Sequence, residues 1–195
     1  MVENTDFKDK TEAFDARKMQ QWLTQPTEKR QNPPLYMLID AARSTEIYPI
    51  ISSAYNEYQC LFQGETAESL KDLAPYIMRL THDSHFTDRM LSRSWGHSWG
   101  VFFTSSQDIE QLTKHFRKFT IVKSSKYKSL YFRFYDPRIL RNFLPSCNAA
   151  ELEQFFGPID YFYVESEDKQ SFLQFQYQAD SQQLDIQEKS LKDFL

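Results

Sequence analysis

The run Asp83-Ser84-His85-Phe86-Thr87-Asp88-Arg89-Met90-Leu91-Ser92-Arg93-Ser94-Trp95-Gly96-His97-Ser98-Trp99-Gly100-Val101-Phe102-Phe103-Thr104 decides between two folds. Gly96 to Gly100 spell GxSxG, the pattern of a hydrolase nucleophile elbow in which Ser98 would attack substrate. Such an elbow leads from a strand into a helix. Here Phe86, Met90 and Leu91 lie at helical spacing behind a cap at Asp83 or Ser84, and the β-type run Val101–Thr104 comes after the motif. The turn therefore runs from helix to strand, the reverse of an elbow. The triad order also needs an acid and then a histidine well downstream, yet His115, 17 positions on, is the only later histidine. Gly96 and Gly100 are better read as a helix stop and a site of close packing beside two tryptophans.

Outward from this run, strands and helices interleave along the chain. Toward the N-terminus, Tyr76–Leu80 and Tyr58–Phe62 read as strands, with a helical turn around Leu70 between them. Leu35–Ala41 reads as a buried strand, followed by a turn at Arg43 and Ser44 and a short helix carrying Ile50, Ile51 and Ala54. An amphipathic helix over Thr11–Leu23 precedes a polar linker that ends at Pro34. Toward the C-terminus, Ile109, Leu112, Phe116 and Phe119 repeat at helical spacing, with acids early and bases late, as the helix dipole favours. Phe119–Lys123 and Leu130–Tyr135 read as strands joined by a basic turn. Asp136 and Pro137 open a helix, and Asn148 with Glu151 forms a capping-box pattern for another that ends at Gly157. Ile159–Val164 is a strand apolar on both faces. Leu173, Phe175 and Tyr177 alternate with glutamines in a strand with one wet face, and a polar segment carrying Leu184 and Ile186 follows. These patterns predict an α/β fold, a mixed β-sheet with helices packed on its faces. The expected units are an N-terminal helix and linker (1–34), a core domain (35–165), and a C-terminal strand and polar tail (166–195), which form either a hairpin or a strand with a tail.

Composition narrows the function. Only 4 of 195 residues are glycine, and no spacing of Gly64, Gly96, Gly100 and Gly157 writes a dinucleotide or phosphate loop. No cofactor is therefore expected. Aromatic residues make up 16% of the chain, enough for a core built on rings. The net charge of −4 hides a segregation: residues 114–141 carry nine basic side chains against Asp136 alone, which leaves −12 elsewhere. Interleaved Phe116, Phe119, Tyr127, Tyr131, Phe132, Phe134 and Tyr135 raise the possibility of a single-stranded nucleic-acid binder over 114–141. Strand alternation buries half of those rings, however, and a solvated basic face or a dock for an acidic partner is the preferred reading. His82, His85 and His97 with Cys60 lack the spacing of known zinc sites, so no metal is expected. Cys60 and Cys147 show no CxxC spacing and suit a reducing compartment. With no apolar leader and no 18-residue apolar run, the expectation is a cytoplasmic protein with no membrane partner.

Several segments carry a family resemblance: Leu35 to Arg43 with Tyr48 and Pro49; Leu73 to Tyr76; Trp95 to Gly100; Arg133-Phe134-Tyr135-Asp136-Pro137-Arg138; and Phe155 to Pro158. In this order they resemble the domain-of-unknown-function 4123 family over about residues 35–165, two thirds of the chain. One departure is Ala42, where the family commonly has glycine. The resemblance implies an adaptor chaperone of the bacterial type VI secretion system, which binds a toxic effector in the cytoplasm and helps load it onto the VgrG spike. It also implies that the GxSxG segment is structural and that the chain is not an enzyme. The partners it implies are the cognate effector and VgrG.

Residue chemistry supplies the remaining expectations. Asp40 and Arg43, at a buried strand end, should meet Arg133, Asp136 and Arg138, around a turn opened by Pro137, in an ionic and capping cluster, because buried charges require partners. Of Trp95 and Trp99, one is expected in the core and the other exposed to a partner. Lys123, Lys126, Tyr127 and Lys128 are expected to present a docking face.

Overall fold

A computed structural model describes residues 14–26, 32–123 and 129–195. In chain order its elements are α1 (Ala16–Leu23), β1 (Leu35–Asp40), α2 (Ile47–Ser52), β2 (Tyr58–Cys60), α3 (Gly64–Ser69), β3 (Pro75–Leu80), α4 (His85–Ser94) and β4 (Gly100–Ser105). They continue as α5 (Ile109–Arg117), β5 (Ile121–Lys123), β6 (Ser129–Tyr131), α6 (Pro137–Ser146), α7 (Ala149–Phe156), β7 (Ile159–Glu165), β8 (Ser171–Gln178) and β9 (Gln183–Ser190).

Leu35–Asp40 is a central strand because nearly every residue in it is apolar, and only a strand covered on both faces can bury such a run. All six residues are buried. β1 pairs antiparallel with β3 on one side and β4 on the other. The seven-stranded sheet runs β2-β3-β1-β4-β7-β8-β9, and each of its pairings is antiparallel. Helices cover both faces, as the interleaved patterns predict. Alternation along β1 divides the core. Leu35, Met37 and Ile39 point to a layer with Met19 and Leu23 of α1, Met90 and Leu91 of α4, and Phe172. Tyr36 and Leu38 point the other way, onto Leu112 and Phe116 of α5, Leu140 and Leu144 of α6, and Phe155 of α7. Each fully buried side chain of this size stabilises the fold by about 1.5–3 kcal/mol relative to exposure.

One element differs from its sequence pattern, and a second decides between hairpin and tail. The strand expected over Leu130–Tyr135 pairs with β5 only as far as Tyr131. Beyond it the chain bends, the Asp136 amide donating to the Arg133 carbonyl at 3.0 Å, and Phe134 and Tyr135 enter the core from a turn. The polar segment with Leu184 and Ile186 is the second strand of the C-terminal hairpin, paired with β8 along its whole length. The chain then returns to α1, where the Asp15 amide donates to the Phe194 carbonyl at 2.7 Å and Trp22 packs on Phe194. Among the described residues no helix is long and apolar enough to cross a membrane.

Candidate functional site

The GxSxG segment is a turn held from a distance. α4 ends where Trp95 takes extended backbone angles, and Gly96 (φ +76°) and Ser98 (φ +54°) both enter the left-handed region. A side chain there is disfavoured, which suits glycine at 96 and makes Ser98 a strained position that needs outside support. Glu165, at the end of β7, provides it. One carboxylate oxygen accepts from the Ser98 hydroxyl at 2.7 Å and the other from the Gly96 amide at 2.8 Å. Ser98 and Glu165 are both buried, so this charge-assisted pair is shielded from water. Gly100 then enters β4 against β1 so closely that a Cβ would sit 1.9 Å from the Leu38 carbonyl oxygen. His115, the histidine a triad would need, gives its Nε2 to the Phe155 carbonyl at 2.8 Å within the layer on the opposite face. Burial lowers its pKa.

Trp95 and Trp99 correct the expectation of one core ring and one exposed ring. Their exposures are 6% and 4%, and both belong to the layer containing α1 and α4. Trp95 packs on Phe172 with centroids 3.8 Å apart and donates its Nε1 hydrogen to the Lys169 carbonyl at 3.1 Å. Four positions separate them, but the two positive φ angles between reverse the chain and return both rings to the same side.

The second segment, Arg133–Arg138, is organised mainly by its own residues. Asp136 caps α6 by accepting from the Arg138 amide at 3.0 Å, and Pro137 takes the first helical turn, where its missing N–H costs nothing. Arg138 returns a two-point contact to the same carboxylate, at 2.9 Å from Nε and 2.6 Å from Nη2. Arg133 pairs with Asp40, whose carboxylate also accepts from the Ala42 amide at 3.2 Å. These two acids are almost fully buried and shift in opposite directions. For Asp40, burial outweighs Arg133 and the Ala42 amide, and the carboxyl is pushed above the usual range. For Asp136, burial acts the same way, but the Arg138 side chain and amide and the nearby Arg43 charge together hold it below. Asp40, Arg43, Arg133, Asp136 and Arg138 thus meet at one end of the sheet.

Between the two segments lies a cleft of about 750 Å³. Gly96 to Trp99 and Arg138 line it, joined by Arg43 from the turn after β1, Glu46 before α2, Arg93 from α4 and Lys169 from the β7–β8 connection. Arg93 pairs with Glu46, and its guanidinium also lies 5.9 Å from the centre of the Trp99 ring. The lining holds four permanent cations against one acid. Such a cleft is suited to receiving anionic groups.

The other sequence expectations fall elsewhere. Lys126, Tyr127 and Lys128 lie outside the described residues, as does the side chain of Lys123 at the end of β5. Much of the basic charge in 114–141 has internal partners: Lys114 pairs with Glu110, Arg117 donates to the Cys60 carbonyl, and Arg133 and Arg138 hold Asp40 and Asp136. Of the interleaved rings, Phe116, Phe134 and Tyr135 are core, whereas Tyr131 is 52% exposed. Cys60 and Cys147 are free thiols. Among the described residues no group of three or more His, Cys, Asp or Glu side chains is placed to hold a metal. Sequence reading missed Glu165, Lys169, Arg93 and Glu46. Glu165 alone had a signal, as an acid that closes an apolar strand.

Fold and site together define an α/β scaffold with an aromatic core and a polar, cation-lined cleft where two turns meet. Residues 35–154 match the family model described as domain of unknown function (DUF4123), and the chain belongs to that family. No curated protein and no solved structure matches it.

Proposed function

We propose that the chain is an adaptor chaperone that binds a type VI secretion effector in the bacterial cytoplasm and promotes its loading onto the VgrG spike. The observation that carries this reading is membership of the family over residues 35–154. The two segments with the most specific resemblance, Trp95–Gly100 and Arg133–Arg138, also both contribute to the one cleft. On this reading the chain performs no chemistry of its own, and Ser98 holds a turn through Glu165.

The test is co-expression of the full chain with the product of the adjacent gene, followed by one affinity step and gel filtration. A stable complex, together with loss of that effector's delivery when the adaptor is deleted, is the expected result. Delivery that continues undiminished without the chain, or an effector that never co-purifies, would overturn the reading.

A further inference from the structure

We propose that the cleft beside the end of β1 is the docking site for an acidic peptide segment of a partner protein, whose carboxylates are received by Arg43 and Lys169. The proposal rests on the adaptor reading only for who the partner is.

The charge balance comes first. Arg43, Arg93, Arg138 and Lys169 line the cleft with Glu46, while Asp136 on Arg138 and Glu165 on Gly96 and Ser98 lie directly behind it, so the formal local balance is one positive charge in a chain of net −4. Two of the four cations are engaged, Arg93 with Glu46 and Arg138 with Asp136. Arg43 and Lys169 form no ion pair with a described carboxylate. The acids of the neighbouring cluster are already committed: both oxygens of Asp136, on which the Arg43 charge acts, accept from Arg138, and Asp40 is held by Arg133 and the Ala42 amide. A carboxylate entering the cleft supplies Arg43 and Lys169 with the partner that the described residues do not, and a guanidinium fork matches its geometry.

The surroundings favour peptide over nucleic acid. A nucleic-acid backbone carries evenly spaced charge and is bound along a track of cations. Here the cations converge on one concavity and do not form a track. Ser44, Ser92, His97 and Trp99 complete a mixed lining, which suits acidic side chains separated by neutral ones. The volume lies within the roughly 300–1,000 Å³ of built ligand sites.

The experiment uses the full chain and a short labelled peptide of alternating Glu and Ser, read by fluorescence anisotropy, with a Gln-for-Glu peptide as control. The Glu peptide should bind, weaken with added salt, and bind about tenfold or more weakly to each of Arg43→Gln and Lys169→Gln. Lys192→Gln, an exposed cation elsewhere, should bind like the parent. Thermal melts identify any variant that loses its fold. Lys169 is an exposed turn residue, so Lys169→Gln keeps the test valid even if Arg43→Gln unfolds. Equal binding of the Gln peptide, or Glu-peptide affinity unchanged in folded Lys169→Gln, overturns the proposal. So does tighter binding of a single-stranded oligonucleotide of equal charge through the same residues. A cargo captured equally by the parent and by Lys169→Gln would sink the cleft and spare the adaptor reading. Acidic peptide bound with the expected sensitivity, with no cargo captured, would do the reverse.

Discussion

The two turns that meet at the cleft are built on opposite principles. Arg133–Arg138 is assembled from neighbours: Asp136 caps its own helix, Arg138 answers two residues later, and Pro137 is already set for the first turn. Trp95–Gly100 is assembled from a distance, since its strained backbone is tied to Glu165, 67 residues past Ser98, and its last glycine is pressed against the Leu38 carbonyl. A self-organised turn survives small losses in pieces. A turn held by remote partners depends on the rest of the sheet being in place, so damage to it should spread into β1, β4 and β7.

The largest effect expected from this contrast is at Gly100. Gly100→Ala places a Cβ on backbone that cannot move without opening the β1–β4 ladder, and should cost more than about 3 kcal/mol or abolish soluble expression. Gly96→Ala sharpens the point. Its Cβ would meet nothing nearer than the flexible Lys169 chain at 3.7 Å, so only the left-handed backbone is penalised, by about 1–2 kcal/mol. Urea unfolding of the two variants should separate steric from conformational cost, and equal losses would refute the distinction.

Next comes the remote tie itself. Glu165→Ala leaves the Ser98 hydroxyl and the Gly96 amide without their acceptor, and should lose about 2–3 kcal/mol. The double variant with Ser98→Ala should lose less than the sum of the singles, because the hydroxyl no longer needs a partner. Strict additivity in that cycle would mean that the Ser98–Glu165 contact contributes nothing. At the self-organised turn, Asp136→Ala should cost about 1–2 kcal/mol through loss of the cap. Asp136→Asn, which keeps a capping oxygen, should recover part of it in the same denaturation assay.

The smallest effect is in pH dependence, where Asp40 and Asp136 should act in opposite senses. An unfolded Asp titrates near 3.9. The folded Asp136 titrates lower, so the stability it provides is present above about pH 4 and is lost as pH falls through its folded pKa. The folded Asp40 titrates higher, so its contribution is present below about pH 4 and is lost as pH rises through its folded pKa. Stability measured from pH 3 to 6 should therefore fall less steeply on the acid side in Asp136→Asn, and decline less with rising pH in Asp40→Asn. The same profile for both variants would contradict the opposed shifts.

Local chemistry was legible wherever one segment contains both halves of an interaction. The Asp136–Pro137 helix start, the Asn148–Glu151 capping box and the apolar run of β1 are complete within a few residues, and each stands where its pattern places it. The reversed order of helix and strand around Ser98 was equally plain. What stayed hidden depends on which segments the sheet brings together. The burial of both tryptophans follows from the reversal at Gly96 and Ser98 and from Phe172 arriving on β8. Glu165 becomes the anchor of the GxSxG turn because β7 pairs beside β4. Arg43 and Lys169, 126 positions apart, share a cleft for the same kind of reason. Caps, periodicity and turn residues act through short-range backbone geometry and can be read from neighbours. The cleft's charge, the remote carboxylate and the close approach at Gly100 are properties of strand order and register, which arise only when the whole chain packs.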